Sequence, residues 1–164
     1  MKPSTLKISE VVQPETVDLD LKGHLDKDSL IRYLISLLHR AGKIESEELF
    51  LQAVYEREGI GPTYMGNFIA IPHGKSDTVI SAGVAFGRSA EGVLYETDLG
   101  GGIAKLIFLL AIPDGMAPEE YVRVLARLAR LLVHEEFLDA LYKAEEYGDV
   151  ISAIRSGETL LEAD

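Results

Sequence analysis

The chain has 164 residues, 47% hydrophobic and 26% charged, with a net charge of −11 at pH 7; this suits a single globular domain, 1–164, with a real core. The acidity argues against nucleic acid, whose phosphates need a basic face, and suits a basic protein partner. There is no cysteine, which excludes disulfides, thiolate metal sites and a cysteine nucleophile; the longest apolar run, 106–113, is too short for a membrane helix of about 20 residues.

Along the chain, residues 17–21 alternate as Val-Asp-Leu-Asp-Leu, the pattern of a half-buried strand. Asp26 or Asp28 caps a helix that carries Leu30, Ile31, Leu34, Leu37 and Leu38 on one face and ends at Gly42. Ser46-Glu47-Glu48 opens a second helix, with Leu49, Phe50, Ala53 and Val54 inward, running to about Glu58. Gly59-Ile60-Gly61-Pro62 breaks it.

Strands are expected over 68–71, 80–88, 93–95 and 103–112, the last apolar enough to be central and buried on both faces. Gly100-Gly101-Gly102 reads as a hairpin before it. Pro118 opens a helix bearing Tyr121, Val124, Leu125, Leu128, Leu131 and Leu132. Shorter helices follow over 135–143 and 149–155, the last stopped by Gly157. This order predicts an α/β fold, a three-layer α/β/α sandwich with one mixed sheet flanked by helices.

The richest segment is Gly66-Asn67-Phe68-Ile69-Ala70-Ile71-Pro72-His73-Gly74-Lys75. Its apolar run stops at Pro72, which cannot donate to a ladder and holds its predecessor extended. His73 is therefore expected at the end of a strand, beside bare backbone at Gly74. Neutral imidazole, with a pKa of about 6.5, is a competent nucleophile toward phosphorus. A plainer reading is a strand-end histidine bonded to a carbonyl.

Taken with Arg57 upstream, this decapeptide closely resembles the active-site signature of the fructose/mannitol (type 2) family of enzyme IIA in the bacterial sugar phosphotransferase system. The resemblance implies the same α/β/α fold and a cytoplasmic phosphocarrier. His73 would accept a phosphoryl group from HPr and pass it to an enzyme IIB, which in that family presents a cysteine. Arg57 would contact the equatorial oxygens through its fork; the alternative is a solvated cation at a helix end. Thr63, Asn67 and Gly74 are the further candidates for phosphoryl binding. Asn67 is equally well explained by a left-handed turn.

Two positions depart from the family pattern. Many members hold a second histidine in the helix after the central strand, where this chain has Tyr121. Its hydroxyl can donate to the phosphoryl group, or it can be an ordinary core tyrosine. Phe68 stands where glycine is usual, with a side chain expected to narrow the approach to His73.

No metal, nucleotide or organic cofactor is implied. Gly74-Lys75-Ser76 lacks the earlier glycine of a phosphate-binding nucleotide loop, because Ile69 stands there. His24, His39 and His134 have no ligand-like spacing and are read as core or surface residues. Arg123, Arg127 and Arg130 read as a solvated helix face. The second reading of function is a nitrogen-type enzyme IIA, which regulates other proteins according to its phosphorylation state.

Overall fold

The structure, a computed structural model, describes residues 6–23, 26–97 and 100–163. His24 lies outside them. The chain packs as two compact units, residues 13–115 and the pair of segments 1–12 and 116–164.

The larger unit is built on a mixed sheet. Its strands are β1 (Val12–Asp18), β2 (Tyr64–Gly66), β3 (Ile69–Ala70), β4 (His73–Ser76), β5 (Gly83–Thr97) and β6 (Gly100–Pro113). They lie in the order β1-β5-β6-β3-β2, with β4 also paired to β6. The β5–β6 pair is antiparallel, while β3 and β4 run parallel to β6. The expected central strand is thus β6, and 106–112 is buried at every position. Alternating side chains point to opposite faces, so a continuous buried run excludes water from both.

Two helices belong to this unit. Helix α2 (Lys27–Arg40) starts at Asp26, whose carboxylate accepts from the Ser29 amide at 2.8 Å. Helix α3 (Glu47–Glu58) starts at Ser46, whose hydroxyl accepts from the Leu49 amide at 3.2 Å. Each cap satisfies an amide that has no partner within the helix. Leu30, Ile31, Leu34, Leu38, Phe50 and Val54 then form one core cluster with Ala85, Tyr95, Ile107 and Ala111 of the sheet.

The smaller unit is helical. It comprises α1 (Ile8–Val11), α4 (Pro118–Leu132), α5 (Glu135–Lys143) and α6 (Tyr147–Ala163). Val124, Leu128, Leu131 and Leu132 form the buried stripe of α4.

The structure departs from the expected elements at several places, among them residues 100–102, which belong to β6 and pair with residues 95–97. The first strand spans Val12–Asp18, earlier than 17–21, because the buried Thr16 donates to Val84 O at 2.8 Å. Pro14 is tolerated there on an edge strand. The strands expected over 80–88 and 93–95 are one strand, β5, with a register shift between Arg88 and Val93. Gly92, at φ +92°, turns within that shift, and its amide donates to Ser89 Oγ at 3.0 Å. The strand expected over 68–71 shrinks to Ile69–Ala70.

The last helix runs straight through Gly157. A Cβ there would stand 2.5 Å from Leu131 Cδ2, so this glycine permits α6 to approach α4 and does not end a helix.

Candidate active site

Pro72 interrupts the sheet as expected, but His73 does not hang from a strand end. It opens β4, facing Leu110 of β6 in register, and the Leu110 amide donates to Pro72 O at 3.0 Å. The residue is 2% exposed. Its Nδ1 lies 2.8 Å from the carbonyl oxygen of Ile71. A carbonyl only accepts, so Nδ1 carries the hydrogen and the ring's lone pair is on Nε2. Burial holds the pKa of His73 below the usual histidine value. The Arg57 charge adds to that, while the Ile71 carbonyl and Glu58 oppose it. The ring is therefore neutral near pH 7.

Helix α3 passes over β4 at Gly74. A Cβ on Gly74 would meet Val54 N at 3.1 Å, Phe50 Cε1 at 3.2 Å and the carbonyl carbon of Ala53 at 3.3 Å. Glycine is needed there for the helix to come this close. Arg57 is one turn beyond Ala53 and Val54, which explains its electrostatic reach to His73. It is half-buried, and its Nη1 donates to Gly61 O at 2.9 Å. The guanidinium is thus held at the helix end by the loop that follows, with further N–H donors to spare.

Thr63 is buried, 3% exposed. Its hydroxyl bonds to Glu58 and Tyr95, and its carbonyl accepts from the Ile71 amide at 2.9 Å. It thereby supports the segment that holds His73.

Asn67 and Phe68 lie elsewhere. Ile69 faces Leu106 and His73 faces Leu110, four residues further along β6. That is roughly 13 Å at about 3.3 Å per strand residue, and residues 67–68 lie beyond it. Asn67, at φ +52°, takes the left-handed turn anticipated as its plainer role. Phe68 follows at φ +65°, which gives a local reason for glycine at that position. Its ring is exposed beneath Lys105 Nζ, 4.8 Å from the centroid, and does not narrow the approach to His73.

Tyr121 lies in the first turn of α4, half-buried, in the helical unit. His39 bonds through Nδ1 to Glu47 at 2.8 Å on the surface, and His134 is exposed just before α5. Arg123 and Arg130 are exposed and Arg127 is half-buried.

Sequence reasoning missed Glu58. In Glu56-Arg57-Glu58 it reads as a solvated acid, yet it is 5% exposed. Its partners are Lys27, Thr63 and Tyr95. No local pattern marks it, because its partners come from three separate segments.

A fixed, buried imidazole whose pKa is lowered by burial and by the charge of Arg57 can act as a nucleophile toward an anionic electrophile. The sequence profile of the family described as "Phosphoenolpyruvate-dependent sugar phosphotransferase system, EIIA 2" matches residues 10–157. The chain belongs to this family.

Among its relatives is the "PTS system fructose-specific EIIA component" of Haloferax volcanii, 35% identical over 138 residues, 84% of this chain and 88% of the relative. The "PTS system fructose-specific EIIABC component" of Bacillus subtilis is 36% identical over 149 residues, but the match covers 91% of this chain and only 23% of that relative. Among solved structures, the nitrogen regulatory protein IIA-Ntr of Neisseria meningitidis matches at TM-score 0.79 and 28% identity, over 90% of this chain and 98% of that one. The Escherichia coli IIA mannitol structure matches at TM-score 0.70 and 29% identity, over 87% and 97%. The same mannitol protein in complex with its phosphorylated enzyme IIB matches at TM-score 0.71 and 28% identity, over 89% and 99%.

Proposed function

We propose that this chain is a cytoplasmic phosphocarrier that receives a phosphoryl group from the phosphohistidine of HPr and passes it to a sugar-specific enzyme IIB. The observation that carries the reading is the buried His73 ring, held through Nδ1–H by Ile71 and kept neutral beside Arg57. The Nε2 lone pair attacks phosphorus, and the N–P bond of the donor breaks with its electron pair returning to the donor's ring. The new Nε2–P bond leaves a positive imidazolium whose Nδ1–H still bonds to the Ile71 carbonyl. In the second step the Nε2–P pair returns to His73 as the acceptor's sulfur takes the phosphorus.

Such transfers depend on positioning and on charges set against the equatorial oxygens. Arg57 supplies the charge. Gly74 and Thr63 support the site from behind, one by admitting α3 and the other by bracing Ile71. Asn67 is left out because the register carries it away from His73. Tyr121 is retained as a hydroxyl donor on its correspondence to the family's second histidine alone; Tyr121→Phe should slow transfer while keeping the fold. Among the described residues no helix is long and apolar enough to cross a membrane.

The likeness to a nitrogen regulatory IIA favours one second reading, phosphorylation-dependent binding of other proteins. Phosphorylated protein mixed with a sugar-specific IIB separates the two. The transport reading predicts transfer of the label to IIB. Retention of the label on this chain, with partner binding that changes on phosphorylation, supports the regulatory one.

A further inference from the structure

We propose that Glu58 is a positioning residue for His73, acting through Thr63 and Ile71 to hold the imidazole in its Nδ1–H tautomer; the proposal rests on the reading of His73 as the phosphoryl acceptor. Glu58 is the last residue of α3 and is buried. A carboxylate in such a place is costly unless it is paired and hydrogen-bonded. Lys27 Nζ lies 3.2 Å from one oxygen, and the hydroxyls of Thr63 and Tyr95 bond to the other. Tyr95 is fully buried, and burial together with Glu58 holds its phenol protonated, as a donor. Lys27 Nζ also sits 4.9 Å from the centre of the Tyr95 ring. The cluster joins α2, α3, β5 and the 59–63 loop.

Buried ionic clusters add little stability compared with apolar packing, and this one ties together specific segments. Here the arrangement leads to the reacting ring. Thr63 donates to Glu58 with its side chain and accepts from the Ile71 amide with its carbonyl. Ile71 in turn accepts from His73 Nδ1. The same loop is tied at Gly61 to Arg57, the neighbour of Glu58. The nucleophile and the phosphate-binding cation are thereby both referred to one carboxylate. Its negative charge also favours the imidazolium formed when Nε2 takes phosphorus.

The test is the tautomer and titration of His73, read from long-range proton–nitrogen NMR spectra of the labelled, unphosphorylated protein. Glu58→Gln keeps the shape and removes the charge; Thr63→Val removes the hydroxyl and serves if the first variant does not fold. In both we expect a growing Nε2–H population and a His73 titration moved to lower pH. Transfer from phosphorylated HPr should slow about tenfold, the lower end of the cost when a ligating histidine loses its outer hydrogen-bond partner. Thr63→Ser should restore all three. Folded Glu58→Gln or Thr63→Val protein with the parent's tautomer and titration would overturn the proposal, whatever the loss of stability. Variants that show the tautomer shifts, with a parent that accepts no phosphoryl group, count against the carrier reading alone.

Discussion

His73 Nδ1 is bonded at 2.8 Å to the carbonyl of Ile71, two residues back along the same chain. The bond is local, so it orients the ring wherever the strand goes, and burial then keeps the ring neutral. This has a consequence for stability. Above the unfolded-state pKa of about 6.5 both folded and unfolded chains hold a neutral ring. As pH falls through that value, the unfolded chain binds a proton that the folded one does not. The contribution of His73 to stability is therefore lost toward acid, down to its lowered folded pKa. His73→Gln removes this titration. Urea unfolding between about pH 7.5 and 5 should show the variant losing less stability than the parent; equal losses would mean that the folded ring titrates normally.

Arg57 donates to Gly61 at the end of α3, one turn from the contact with Gly74. Lysine would keep the charge and lose the planar fork. Arg57→Lys should leave the circular dichroism unchanged and slow phosphoryl acceptance by roughly 10²-fold, about 3 kcal/mol. Parent-like rates would reduce Arg57 to a cap on its own helix.

Gly74→Ala tests the packing of α3 on β4. The new Cβ meets backbone atoms of Val54 and Ala53, which cannot swing aside as a side-chain end could. Overpacking of this kind costs about 1–3 kcal/mol. Chemical denaturation should show that loss. Full stability in the variant would show that α3 shifts freely.

Phe68→Gly should raise stability. Asn67 and Phe68 occupy the two central positions of the β2–β3 turn, both at positive φ, with Gly66 and Ile69 paired across it. That is the geometry in which glycine is favoured at the second position. Relief of the strain, less the loss of the exposed Lys105 contact, leaves a gain of about 0.5–1 kcal/mol. A net loss would mean that the Phe68–Lys105 contact outweighs the turn.

The long helices and the central strand were legible because their signals are local. Asp26 and Ser46 cap where caps were expected, and the 106–112 run is buried throughout. His73 was singled out through the contiguous 66–75 segment, and Arg57 through its place upstream of it. Glu58 was not, since its burial depends on Lys27 and Tyr95, residues 31 positions before it and 37 after it. Gly157 was read as a helix stop and Gly74 as bare backbone open to a phosphate, whereas both also admit close approach between elements. Phe68 misled for the complementary reason. Its backbone conformation, not its bulk, is what the turn constrains.

The central claim is that Nε2 of His73 carries the phosphoryl group. The direct measurement is labelling from phosphoenolpyruvate through enzyme I and HPr, with phosphorus–nitrogen NMR of the product. The account predicts one acid-labile, base-stable phosphoryl group, coupled to Nε2 of His73, and none in a folded His73→Gln variant. Label that survives in that variant, or coupling to Nδ1, would contradict it.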